Sequence, residues 1–401
     1  MIAVERFSGG SKVMGIAGAI GLIGLVLTIV GFVSAPREAM HSYLIAFCYW
    51  CGISVASIIM LAIFHTAKAK WLTVLRRAME TMGASVFIFA LLVLPIVFGV
   101  KYLFPWVDPE NWVFPDGSRF TSVELHHLHH KHPYLNLPFF YIRQAIYFGV
   151  WIFVSWRLRS WSMAQDQDGA LELTVKQRRF APGSLPFLAL TMTFAGFDWL
   201  MTLTPLWQST IFGVYYFAGS FLAAFCVLTI ITVNAQGKDE YGTLVSTAHY
   251  HNLGKLMLAF TAFWAYIAFS QFLLVWIANI PEEAVWYKIR IEGGWRSLSV
   301  SLFFLHFVLP FFVLLSRKLK LMPKALAVMG VYLLGIHAVD LYWLIWPALS
   351  PAGPTFHWTL LTALPGVGGL AVAAGVWLAR GRYTLPVKDP YIAESLRYVQ
   401  P

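Results

Sequence analysis

Residues 15–31 read GIAGAIGLIGLVLTIVG, a stretch without a charge and with Thr28 as its one polar side chain. A helix on the surface of a soluble protein repeats polar residues so that one face meets water. This stretch offers no such face. Extended to 13–33, it is long enough to cross a hydrocarbon core of roughly 30 Å, which takes about 20 helical residues. Comparable apolar stretches follow at 42–64, 82–103, 137–156, 184–203, 210–233, 253–280, 297–315, 323–346 and 358–378. In lipid only helices and closed barrels satisfy their own backbone, and these runs lack the alternation of barrel strands. The chain therefore reads as an all-α membrane protein with ten transmembrane helices. A composition 59% hydrophobic and 12% charged excludes an ordinary soluble domain. Residues 1–401 form one polytopic domain: helices 2–4 in 34–183, helices 5–9 in 184–347, and helix 10 with a tail in 348–401. The long outward connection is 104–136, and a basic inward loop spans 157–183.

The formal net charge is +10, but the placement of Lys and Arg follows the membrane rather than a nucleic-acid face. With the N-terminus in the cytoplasm, the inward connections hold Lys12, Lys68, Lys70, Arg76, Arg77, Arg157, Arg159, Lys176, Arg178, Arg179, Lys238 and Arg317, among others. The outward side holds far fewer: Arg37, Arg119, Lys131, Lys288, Arg290 and Arg296. The positive-inside rule then sets both termini in the cytoplasm. The first apolar run lacks a cleavage pattern and should remain as helix 1. Cys48, Cys51 and Cys226 all fall within apolar helices, where cysteine behaves as a small hydrophobe, and one C-x-x-C pair cannot complete a metal site.

Asp198 in helix 5 precedes Pro205 by seven residues, and Asp340 in helix 9 precedes Pro347 by the same interval, both in aromatic settings. The echo suggests two four-helix bundles, helices 2–5 and 6–9, flanked by helices 1 and 10. Short links after helices 5 and 9 place helix 5 beside helix 6 and helix 9 beside helix 10.

Charges inside apolar spans are costly, about 3 kcal/mol each at the bilayer centre, so they face the bundle and find partners. Arg143 early in helix 4 shares a depth with Asp198 and Asp340, and His337 lies one turn from Asp340. One reading is a proton path through Arg143, Asp198, Gln271, His306, His337 and Asp340, with His337 as relay. The other is a structural ion pair that locks helices together. His65 and Glu80 mark the inner interface, where such residues are usually solvated. Intramembrane histidines do not recur as facing pairs, so no haem is expected. The run His126, His127, His129, His130 and His132 lacks a carboxylate frame beyond Glu124 and carries no assigned metal site. Trp106, Trp112 and Phe114 in the outward connection are candidates for an exposed interface.

The segments YLNLPFFYIR (134–143), FAGFDWLM (194–201), and SQFL (270–273) through NIPEE (279–283) carry a resemblance. With GKL at 254–256 and Trp286-Tyr287, they resemble the F-type membrane subunit of bacterial alternative complex III and, more distantly, the NrfD-like polysulfide reductase membrane subunits. The resemblance implies a subunit of the bacterial inner membrane in a quinol:electron-acceptor oxidoreductase, without a redox centre of its own. It implies as partners an NrfD-like sister subunit, which would hold the main quinone site, and periplasmic iron-sulfur and multihaem cytochrome c subunits. This chain would then serve as scaffold and proton conduit. Arg143, Asp198 and Gln271 fall in the matching segments, and His337 and Asp340 match less closely. Two other readings stand beside it: a secondary transporter alternating about the two four-helix units, and a purely structural membrane anchor.

Overall fold

The computed structural model describes residues 6–235 and 244–399, so Lys238, placed above on the inward side, lies outside the described residues. Among the described residues ten helices are long and apolar enough to cross a membrane. In chain order they are α1 (Ser11–Ser34), α2 (Pro36–Thr66), α3 (Lys70–Phe98), α4 (Leu137–Asp168), α5 (Leu171–Leu203), α6 (Phe212–Ala235), α7 (Thr247–Ala278), α8 (Trp295–Leu315), α9 (Pro323–Ala348) and α10 (Thr359–Ala379). No strand forms among the described residues; an isolated bridge joins Arg6 to Tyr383. Phe7 N–H donates to the Arg382 carbonyl beside it at 2.8 Å, so the two described chain ends meet at one end of the bundle, the tail end. The opposite, loop end carries residues 104–136.

α2 sits at the centre and is buried on nearly all faces. It packs on α3 and α5, while α4 packs on both α3 and α5. The adjacency recurs further along the chain: α6 packs on α7 and α9, and α8 packs on both α7 and α9. α6 also packs on α2 and α5, which joins the two groups. α10 does not run along α9 as the short link suggested; it packs on α1 and α2. The reason is a glycine seam. A Cβ on Gly24 would come within 2.6 Å of Gly366 Cα and of the Thr362 carbonyl, so only glycine lets α1 and α10 approach this closely. Thr28 and Thr362 hydroxyls hydrogen-bond across the seam at 3.0 Å.

Three sequence expectations change. α3 begins at Lys70 rather than at 82, because Arg76, Arg77 and Glu80 are ion-paired and so can enter the bundle. Residues 157–183 are not a loop: α4 and α5 continue through them as a helical hairpin that turns at Gly169, whose φ of 71° is left-handed. The Gln165 amide donates to Thr174 Oγ1 at 2.6 Å and ties the hairpin arms. The aromatic trio is not exposed. Trp106 is buried against Phe104 and Phe140, Trp112 lies half-buried under Arg37, and Phe114 packs edge-on to Phe120.

Candidate functional site

Two acidic clusters lie toward the loop end, one in each half of the chain. In the first, Asp198 near the end of α5 is almost fully buried. Arg143 and Tyr147 stand four residues apart on α4, which puts both on the face toward α5. Arg143 grips Asp198 in a fork, Nε to Oδ2 at 2.8 Å and Nη2 to Oδ1 at 2.9 Å. The Tyr134 hydroxyl donates to Oδ1 at 3.0 Å and the Tyr147 hydroxyl to Oδ2 at 2.8 Å. Gln144 adds a longer amide contact at 3.4 Å and accepts from Trp199 Nε1. The guanidinium lies over the rings of Tyr134 and Phe139 and donates its remaining Nη1 to the Tyr134 carbonyl at 2.8 Å. Every acceptor of the carboxylate is occupied and its charge is matched. Burial, followed by the Asp198 charge, pushes the Tyr134 phenol above its ordinary value. A cavity of about 260 Å³ opens beside Tyr134, lined also by His130, Lys131, Trp207 and Gln208.

The second cluster surrounds Asp340 on α9 and differs in kind. Tyr215 of α6 donates its hydroxyl to Oδ1 at 2.5 Å, and Trp264 of α7 donates Nε1 to Oδ2 at 3.3 Å. No Lys or Arg pairs with it among the described residues; its closest basic neighbour is His337 Nδ1 at 3.9 Å from Oδ2. His306 of α8 stacks on Trp264 at 3.8 Å between centroids and lies 6.5 Å from the His337 ring. All four ring nitrogens of these two buried histidines lack a hydrogen-bond partner among the described residues. His306 falls in a π-helical turn, Phe303–Val308, a distortion frequent at functional sites. The structure thus brings His306, His337 and Asp340 together and sets Arg143 with Asp198. No hydrogen bond among the described residues joins the two clusters. Gln271 belongs to neither: it is buried on α7 and leaves Oε1 without a partner among the described residues.

A short helix caps each half at the loop end, Ser122–Lys131 before α4 and Pro281–Ile291 before α8. Each sends a cation to carbonyls just past an acidic residue. Lys131 Nζ donates to Pro205 O at 2.8 Å and to Leu206 O at 3.2 Å. Arg290 donates to Leu344 O at 2.9 Å, Trp343 O at 3.3 Å and Trp286 O at 2.9 Å, and stacks 3.4 Å from the Trp286 ring. Burial pushes both cations below their ordinary values, because a charged form loses water there. These two anchors extend the echo between Asp198 and Asp340 from sequence spacing to contact geometry.

A third cluster, at the tail end, was not foreseen. Glu80 is buried, with Arg76 at 3.1 Å and Arg77 at 2.7 Å. Arg76 also pairs with Asp389 of the C-terminal tail, and Arg77 with Asp166 of α4, each at 2.5 Å. The spacing of Arg76, Arg77 and Glu80, at i+3 and i+4, was the available signal. His65 lies beside this cluster, buried, with Nε2 unpartnered. Cys48, Cys51 and Cys226 are buried free thiols. Among the described residues no three His, Cys, Asp or Glu side chains converge on one point. No protein-family profile matches the chain, and no curated protein is similar to it.

Proposed function

We propose that this chain is an integral membrane subunit of a quinol:electron-acceptor oxidoreductase of the alternative complex III kind, acting as scaffold and proton conduit without a redox centre of its own. The observation that supports conduction is the contrast between the two acidic clusters. Asp198 is locked by a bidentate arginine and two phenols. Among the described residues Asp340 has no Lys or Arg partner and stands beside two imidazoles whose nitrogens have no hydrogen-bond partner. A carboxyl group and a neutral imidazole can each take up one proton and release it, and a single water or a small ring rotation closes the 3.9 Å gap between Oδ2 and His337 Nδ1. In this reading Asp340 and His337 exchange the proton, His306 extends the route along α8, and Asp198 with Arg143 holds α4 and α5 in place.

The excess of Lys and Arg at the tail end supports placing that end, with both termini, in the cytoplasm of a bacterial inner membrane. The cap helices then face the periplasm, where iron-sulfur and multihaem cytochrome c partners would dock. An NrfD-like sister subunit would hold the main quinone site, and lipid would cover the apolar outer faces. A secondary transporter is less well supported. Such proteins break helices at corresponding positions of their two halves. Here the interruptions fall in α3, the second helix of one unit, and in α8, the third helix of the other.

Native purification in mild detergent tests the proposal, with mass identification of every co-purifying subunit and an absorption spectrum for haem c. Co-purification with cytochrome and iron-sulfur subunits is expected. Isolation alone, or as a homo-oligomer without haem, overturns it.

A further inference from the structure

We infer that His126 and His130 form a chelate site for a divalent transition-metal ion such as Zn²⁺ or Cu²⁺, at the rim of the cavity beside Tyr134. The two residues stand one turn apart on the cap helix Ser122–Lys131, and their Nε2 atoms lie 3.1 Å apart in an imidazole–imidazole hydrogen bond, with the rings at 90°. A tetrahedral ion with Zn–N bonds of about 2.0–2.1 Å holds two imidazole nitrogens about 3.3 Å apart, so the nitrogen spacing is within about 0.2 Å of a chelate, and on binding the donor imidazole moves its proton to Nδ1 and both lone pairs turn to the ion. Both side chains are exposed, and a hydrated ion reaches them without any opening of the fold. An i, i+4 histidine pair on one helix face is a recurrent way of presenting two nitrogens to zinc.

The helix that carries the pair is fixed at both ends. Thr121 and Glu124 form a reciprocal capping box, Leu128 is buried, and Lys131 is anchored on the Pro205 and Leu206 carbonyls. Glu124 is therefore engaged at the helix N-terminus, and water supplies the remaining coordination positions. Among the other histidines of the run, His127 has its ring 6.3 Å from that of His126. The run is thus one chelating pair with bystanders, and the pair is the one that i, i+4 spacing selects once the run is helical. His130 also lines the cavity that reaches Tyr134, the phenol bonded to Asp198. A bound ion sits over that opening. Any effect on proton exchange rests on the conduit proposed above, whereas the binding itself does not.

The test titrates the purified full chain, without a polyhistidine tag, with Zn²⁺ and Cu²⁺, and repeats the titration on His126→Ala, His130→Ala, His127→Ala and His129→Ala. Loss of one of two chelating ligands should weaken the strongest site by about tenfold or more in the first two variants, since the second nitrogen binds at high effective concentration. His127→Ala and His129→Ala should stay within about twofold of the parent on the same argument. Pulsed EPR of the Cu²⁺ form should show two coupled imidazole nitrogens in the parent and one in His126→Ala. Equal weakening in all four variants, or unchanged affinity in His126→Ala and His130→Ala, overturns the inference.

Discussion

Replacing Arg143 by leucine removes the cation that pairs with Asp198. The carboxylate keeps the Tyr134 and Tyr147 hydroxyls, which donate hydrogen bonds but no charge. Both members of the pair are almost fully buried, so water cannot take over the lost role. Breaking a buried ion pair from one side costs about 3–5 kcal/mol, because the surviving charge is left uncompensated. At about 1.4 kcal/mol per factor of ten, the folded fraction under challenge should fall by at least a hundredfold in equilibrium constant. Asp198→Asn should be destabilising for the converse reason, since it strands the guanidinium. The double variant Arg143→Leu with Asp198→Asn removes both charges and should recover most of the loss, giving a coupling of about 3 kcal/mol. The assay is the monodisperse fraction of detergent-solubilised protein after graded heating, read by size-exclusion chromatography for the four members of the cycle. Additive losses with no recovery in the double variant would refute the view that the pair stabilises α4 against α5 through mutual charge compensation.

Three other outcomes follow from the packing. Gly24→Val forces a branched side chain onto Gly366 and Thr362 and should cost about 1–3 kcal/mol, while Gly15→Val meets nothing within 4 Å and should be neutral; equal yields of folded protein would contradict the glycine seam. Arg290→Met strips the donor from three buried carbonyls and should lower thermal stability by about 1–3 kcal/mol, with Arg290→Lys recovering only part because an ammonium lacks the guanidinium fork; an unchanged unfolding midpoint for Arg290→Met would count against the anchor. Asp389→Ala removes the charge-assisted bond of about 1.5–3 kcal/mol that ties the C-terminal tail to Arg76, so limited proteolysis in the tail should accelerate by about tenfold or more; identical cleavage rates would show that other contacts hold it.

The ten spans were legible because lipid imposes a length and an apolarity that few other environments demand. The pairing of Arg143 with an aspartate was legible for the same reason, since an isolated intramembrane charge needs a partner. Which aspartate was not: Asp198 and Asp340 share spacing, aromatic neighbours and depth, and only packing shows that the arginine faces one and leaves the other to Tyr215 and Trp264. Hydropathy also misplaced what pairing neutralises. Arg76, Arg77 and Glu80 read as an interface, yet their mutual salt bridges carry them into the bundle and start α3 earlier. The 157–183 segment read as a loop because it is polar, although Gly169 is the single left-handed turn in two continuous helices. Link length failed for α10, where close helix approach through Gly24 and Gly366 outweighed chain proximity to α9. The π-turn at His306 does have a mark in the sequence, Pro310, which has no N–H to give the His306 carbonyl.

Proton conduction at Asp340 is tested most directly by the ratio of protons released to electrons transferred in the native complex carrying Asp340→Asn. The asparagine keeps an acceptor oxygen for Tyr215, puts an amide NH2 in place of the oxygen that faces Trp264, and cannot carry a proton. A complex that assembles normally and moves fewer protons per electron is the expected result. Normal assembly with an unchanged ratio would contradict it and leave the chain as a structural anchor.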